Sequence, residues 1–193
     1  MIGARGRVGS AAVAALRERH EVIEASRTTR PAVDATDPAS LAALFAAVGP
    51  VDAVISAVGT VPFGAMTELT GEHYLAAFQN KVAPQLAILG AALPYVRDGG
   101  SLTLTSGVLA RRALPTGAAA SLANGALEAF VQGATASLPR SIRLNVVSPS
   151  VLATSTAQHT TFAGFRPVSD DEVGRAYAEA VEGDATGTVI PVD

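Results

Sequence analysis

The stretch that decides the fold is "GARGRVG", residues 3–9, which runs straight into the helical "SAAVAALRER" of 10–19. Its glycines, Gly3, Gly6 and Gly9, stand three apart. Glycine in that pattern permits a tight turn, close approach of main chain to a pyrophosphate, and close packing of helix on strand. The following helix then points its N-terminus at the phosphate. All three glycines are therefore candidate cofactor-binding residues.

Working outward, short β-branched runs alternate with alanine-rich helical ones. "HEVIEAS" (20–26), "VDAVISAVG" (51–59), "SLTLTSG" (101–107), "IRLNVVSP" (142–149) and "GTVIPVD" (187–193) read as strands. Helical patterning covers roughly 9–18, 38–48, 70–96, 117–138 and 170–182. Apolar strands separated by helices predict a parallel sheet covered on both faces. The expected fold is α/β: a Rossmann-type, doubly wound parallel sheet in three layers, forming a single NAD(P)-binding domain over 1–193. Ligands of such sheets bind at the carboxyl ends of the strands. Only Met1 and Ile2 precede the glycine turn, whereas an ordinary strand has roughly five or six residues. The first strand is therefore expected to be truncated, its true start lying upstream or the chain having been shortened.

Composition narrows the function. Hydrophobic residues make up 49% and charged residues 16% of the chain, which suits a compact α/β domain with buried strands. The net charge of −3 leaves no electrostatic footprint for nucleic acid. With no cysteine and three scattered histidines, thiolate chemistry is excluded and no metal site is expected. No membrane-length apolar run or signal segment is present, so a soluble, cytoplasmic protein is expected.

After the second strand candidate, "EVIEASRTT" carries Ser26 and Arg27 where an NAD-selective site would place an acidic residue on the ribose. A guanidinium and a hydroxyl suit a 2′-phosphate, and Arg5 in the glycine turn is a candidate for the same phosphate. These offsets favour NADP over NAD. Asp34 in "VDATD" is a candidate partner for the adenine amino group.

With these motifs in place, the chain resembles the short-chain dehydrogenase/reductase family over essentially its whole length. The order "GARGRVG", "SRTT", "VDATD", "ISAVG", "GGSLTLTSG", "GAAASLANGALEAF", "LPRSIRLNVVSP" and "GTVIPVD" carries the resemblance. The family delivers hydride from a nicotinamide to a carbonyl carbon while a tyrosine, assisted by a lysine four residues on, supplies the proton. Matching "GALEAF" to the family's helix puts Ala120 in the tyrosine position and Asn124 in the lysine position. Ser106 matches the family's serine, and Lys81 falls where the family has an asparagine on the preceding long helix. "SAVG" keeps Ala57 and Gly59 as a small close-approach turn. Thr154 matches a threonine that helps hold the nicotinamide amide or the phosphates.

The resemblance thus implies a retained nucleotide half and a catalytic half without its standard acid. Ser106 is the candidate for orienting substrate, Lys81 or water for supplying the proton, and Asn124 for what remains of the lysine's role. Tyr74, Tyr95 and Tyr177 read as packed aromatics, and His159 as an exposed loop residue. Arg111 and Arg112 read as solvated or, alternatively, as contacts for an acidic substrate, and the segment 150–169 as a lid with no aromatic or charge pattern that identifies a substrate. The helix at 117–138 is apolar over most of its girth, with a polar stripe through Ser121, Asn124, Glu128, Gln132 and Thr135. Such a helix is buried on more than one side, so a homodimer or homotetramer is expected, as in the family. The leading expectation is an NADP-dependent oxidoreductase for a small-molecule carbonyl or alcohol, by a non-standard or weakened proton transfer. The alternative is an inactive dinucleotide sensor or a structural, interaction subunit.

Overall fold

The computed structural model describes all residues, 1–193. Strands β1 (Val51–Ile55), β2 (Val96–Thr105), β3 (Arg143–Pro149) and β4 (Val189–Val192) form a parallel sheet in sequence order. Beyond β1, Ile2 makes parallel bridges to both Ser56 and Ala25, so the chain start continues the sheet on that side. "HEVIEAS" forms no regular strand, only isolated bridges at Ala25 and Ser26. Its pairing with the chain start runs through Ala25, whose N–H donates to the Met1 carbonyl at 2.8 Å and whose carbonyl accepts from the Gly3 N–H at 2.9 Å. A cavity of about 630 Å³ lies beyond Met1, lined by both 20–23 and β1.

Both faces of the sheet are covered, as continuous apolar strands require. On one side, α2 (Pro38–Val48), α4 (Ala83–Ala92) and α5 (Ala118–Ala134) bring Leu41, Ile88 and Leu127 against Leu102, Leu104 and Leu144. On the other, α1 (Arg7–Leu16) and α7 (Asp170–Glu182), which follows the short α6 (Thr156–His159), pack Leu16, Val173 and Tyr177 against Ile55, Val147 and Ile190. Successive residues Val146 and Val147 enter opposite cores, the period-two alternation of a strand. The two helices touch closely: a Cβ on Gly174 would lie 2.7 Å from that of Ala15.

The long helix read over 70–96 is not continuous. It comprises α3 (Gly71–Ala77), a π-helical turn (Phe78–Val82) and α4. Pro84 explains the break. It has no N–H to give the Asn80 carbonyl four residues back, and that carbonyl accepts from the Thr60 main chain at 3.3 Å instead. Widened turns of this kind gather at functional sites, and this one carries Lys81.

Candidate functional site

The carboxyl ends of β1 and β2 and the glycine turn surround a cavity of about 330 Å³. On the glycine side, Gly9 and Gly3 are required by contact. A Cβ on Gly9 would lie 2.1 Å from the Gly3 carbonyl oxygen, and one on Gly3 would lie 2.5 Å from that of Ala57. Helix α1 begins at Arg7 with no side-chain cap and no acidic residue in its first turn. Its first N–H groups and positive dipole end are thus left for an anion. Gly6, Arg7, Ala57 and Gly59 line the cavity. This geometry fits the diphosphate of a dinucleotide. Arg7, whose guanidinium lies 3.5 Å from the Ser155 hydroxyl, is not marked by the glycine spacing, since Arg5 and Arg7 flank Gly6 alike in the sequence.

The residues proposed for the adenosine end sit outside this cavity. Arg5 is paired with Glu24 at 3.5 Å, and Glu24 also binds Arg17. Glu24 therefore competes for the guanidinium expected at a 2′-phosphate. Arg27 is exposed and makes no ion pair. Ser26 is fixed by its own turn, its N–H donating to Thr29 Oγ1 at 2.6 Å and its hydroxyl accepting from the Thr28 N–H. Asp34 Oδ1 accepts from the Thr36 N–H and hydroxyl at 2.9 and 2.7 Å, which holds that carboxyl below its usual range. Thr154 turns outward to Asp170, and its buried neighbour Ser155 lines the cavity instead.

On the opposite wall Lys81, Ser106 and Asn124 come together. Lys81 Nζ donates to the main-chain carbonyl of Ser106 at 2.9 Å. Burial pushes its ammonium down from 10.5 to about 8, against the raising influence of the Glu128 carboxylate. The end of β2 is itself pinned: the Gln85 amide exchanges two 2.8 Å hydrogen bonds with the main chain of Thr105. Asn124 is buried, its Oδ1 has no partner, and its amide packs on Gly107, where a Cβ would lie 3.1 Å from Nδ2. Ala120 lines the cavity one turn earlier and is buried with Val108, Leu109, Val151 and Phe165.

The polar stripe of α5 proves to be partly internal. Glu128 Oε1 accepts from the Ser106 hydroxyl at 2.8 Å, the Ser148 hydroxyl at 2.7 Å and the Arg111 guanidinium at 2.8 Å. Arg111 is thus no solvated arginine. Nothing local in the sequence marks Glu128 and Ser148, because their partners lie on α5, β3 and the loop after β2, more than a dozen residues away. The segment 150–169 also has a pattern that only folding reveals. Phe162 meets Phe63 at 6.0 Å and Phe165 at 5.4 Å, edge to face, while Arg112 lies 4.3 Å over the Phe165 ring. Phe63 and Phe162 line the cavity with Val61, Leu109 and Val151. His159 only contacts the Leu152 carbonyl.

The remaining tyrosines are structural. Tyr177 is fully buried, and its hydroxyl donates to Thr105 Oγ1, which in turn donates to the Ser56 carbonyl. Desolvation raises its ionisation far above the ordinary tyrosine range. Tyr95 stacks on Phe45.

A parallel sheet with a glycine-rich first turn, an uncapped helix aimed at the strand ends and a polar wall opposite defines a Rossmann-type nucleotide-binding fold. Residues 6–182 match the family described as enoyl-(acyl carrier protein) reductase, and the chain belongs to the short-chain dehydrogenase/reductase family of oxidoreductases. It is 36% identical over 118 residues to an uncharacterized oxidoreductase of Methylorubrum extorquens, covering 60% of this chain and 47% of that protein. It is 30% identical over 142 residues to versicolorin reductase 1 of Aspergillus parasiticus, covering 69% and 54%. The chain thus spans about half the length of these curated relatives. Among solved structures, a protein from Listeria innocua superposes with a TM-score of 0.95 at 38% identity, over 100% of this chain and 97% of that one. A small-chain dehydrogenase in complex with NADPH superposes with a TM-score of 0.87 at 25% identity, over 100% and 94%. No helix here is long and apolar enough to cross a membrane.

Proposed function

We propose that the protein is an NADP(H)-dependent oxidoreductase that interconverts an uncharged, apolar alcohol and its carbonyl compound. The observation that carries this reading is the convergence of Lys81, Ser106 and the unpartnered Asn124 amide oxygen on one wall of the cavity facing the glycine turn. A buried polar atom without a partner is costly, so Asn124 Oδ1 is left to accept from a ligand hydroxyl or amide. Gly3, Gly6, Gly9 and the start of α1 would hold the diphosphate, and Arg7 would neutralise it. Ala57 and Gly59 give the close approach beside it. The unpaired Arg27, with Ser26, favours NADP over NAD, and the NADPH-bound relative supports that choice. Asp34 and Thr154 remain proposed contacts at the edges of the dinucleotide.

When bound, the nicotinamide supplies the two-electron chemistry at the carbon. The chain's own contribution is positional. Lys81 brings an ammonium to the oxygen side of the site, and a lysine whose pKa lies near 8 can both donate a hydrogen bond and give up a proton near neutrality. The lining residues carry no charge besides Arg7 and Lys81, and Phe63, Phe162, Val61, Leu109 and Val151 form an apolar, aromatic wall. Such a wall favours an apolar substrate.

The second reading, a dinucleotide-binding protein without turnover, is favoured by Ala120 alone, since alanine has no proton to give. Titration with NADPH and NADH, followed by cofactor fluorescence, tests both. Micromolar, NADPH-selective binding with carbonyl-dependent oxidation is expected. Binding without turnover across an apolar carbonyl panel would leave the second reading, and no binding would overturn both. We further propose that the unit is a homo-oligomer. Leu75, Phe78 and Leu122 stay exposed on α3, the π turn and α5, elements that pack together.

A further inference from the structure

The three donors on Glu128 Oε1 decide what the Ser106 hydroxyl can do. A carboxylate only accepts, so the Ser106 proton is directed at Glu128, and the lone pairs of Oγ are what remain for the cavity that Ser106 lines. Arg111 and Ser148 fix the carboxylate from the other sides, and Arg111 also donates to the Ser148 hydroxyl at 2.8 Å. Glu128 and Ser148 are buried, while 11% of the Glu128 side chain and 33% of the Arg111 side chain stay exposed. A serine oriented in this way accepts a hydrogen bond and passes its own proton backward.

We propose that Ser106 and Glu128 form a proton relay in which Ser106 accepts the proton of a substrate hydroxyl while Glu128, positioned by Arg111 and Ser148, takes the proton Ser106 releases. The inference rests on the oxidoreductase reading above. In alcohol oxidation the substrate O–H bond breaks and a new Oγ–H bond forms on Ser106, while the old Ser106 proton moves to Glu128 Oε1. The electron pair of the carbinol C–H bond leaves with its hydrogen to the oxidised nicotinamide dinucleotide, and the carbonyl double bond forms. Glu128 then returns its proton to water along its exposed edge beside Arg111, which resets the relay, and reduction runs the same transfers in reverse. The relay supplies the proton route that Ala120 lacks. It leaves Lys81 to hold the oxygen.

The test that needs neither substrate nor dinucleotide is the reactivity of Ser106 toward phenylmethanesulfonyl fluoride. Sulfonylation forms an Oγ–S bond, expels fluoride and sends the serine proton to Glu128. Modification of Ser106, located by peptide mass, is expected in the unaltered protein. It is expected to be at least about tenfold slower in Glu128→Gln, which keeps a hydrogen-bond acceptor of the same size but is no base. An unmodified Ser106, or equal rates in the two proteins, overturns the relay. NADPH affinity, measured in parallel, is expected to agree within about twofold between them, since only the proton route changes. Loss of affinity confined to Glu128→Gln would mark Glu128 as structural and overturn the relay. Absence of NADPH binding by the unaltered protein would instead retire the oxidoreductase reading. Glu128→Asp, which withdraws the carboxylate by one methylene, serves if Glu128→Gln does not fold and is expected to slow modification likewise. With a turned-over alcohol, Glu128→Gln is expected to lower kcat by about 10²-fold with KM little changed. A change in KM alone overturns the proposal.

Discussion

Lys81 reaches from the π turn to the main-chain carbonyl of Ser106, 2.9 Å away, and so ties the middle of a broken helix to the carboxyl end of β2. The contact depends on two other residues. Pro84 opens the turn, and Gly59 leaves room for the lysine stem.

Replacing Lys81 with Met separates function from stability. A lysine whose folded pKa is lowered holds fewer protons than in the unfolded chain between about 8 and 10.5. Its buried charge therefore destabilises the fold below pH 8, and the cost is released as pH rises through that window. Lys81→Met is expected to be more stable than the unaltered protein at pH 7, by about 2 kcal/mol. The difference should shrink between pH 8 and 10.5. Denaturant unfolding at pH 7 and pH 10 measures this. If Lys81 contributes to the site, turnover should fall in the same variant by about tenfold or more.

Gly59 is a position where both backbone and space oppose a side chain. Its φ is +129°, and a Cβ would lie 2.6 Å from Lys81 Cγ and 2.8 Å from Lys81 Cα. One neighbour is main chain that cannot give way, so Gly59→Val combines backbone strain with overpacking. A loss of about 2–4 kcal/mol is expected, read as a lowered thermal midpoint, together with weakened NADPH binding. An unchanged midpoint would mean that the turn rearranges freely.

Much of the frame was legible from the sequence because it depends on local patterns. The alternation of strands and helices and the glycines of 3–9 follow from residues close together in the chain. The π turn was also announced locally, by Pro84, yet the periodicity runs through it smoothly enough to suggest one helix. What could not be read is what folding alone brings together. Glu128 looks like one of five polar residues on a helix face until Ser106, Ser148 and Arg111 converge on it. Phe63 and Phe162 are remote in sequence and meet only across the cavity. Arg5 shows the converse: read alone it is a phosphate contact, and its pairing with Glu24 alters what it can do.

Cofactor choice should rest on Arg27 more than on Arg5. Arg27 has no ion pair to break, whereas Arg5 is held by Glu24. Arg27→Glu puts a negative charge where a 2′-phosphate is expected and suits the free ribose hydroxyls of NAD. The ratio of NADPH to NADH affinity is expected to fall by about tenfold or more, equivalent to about 1.4 kcal/mol. Arg5→Gln should move the ratio less. An unaltered ratio in Arg27→Glu would place the 2′-phosphate elsewhere, with Arg7 the next arginine to test.

Ala120→Tyr asks whether the family's acid can simply be put back. Ala120 is 2% exposed and packs in a small apolar cluster with Val108, Leu109, Val151 and Phe165. A phenol there must displace part of that cluster, and overpacking costs about 1–3 kcal/mol. Asn124 offers no positive charge to lower the phenol's pKa, and Lys81 approaches from a different element. Ala120→Tyr is therefore expected to lower the thermal midpoint without raising kcat for carbonyl reduction. The double variant Ala120→Tyr, Asn124→Lys would add a second ammonium close to Lys81 and to Gly107, and should be less stable still. A gain in kcat from the single variant would show that the cavity still accommodates a tyrosine acid, and that the Ser106–Glu128 pair is not the proton route.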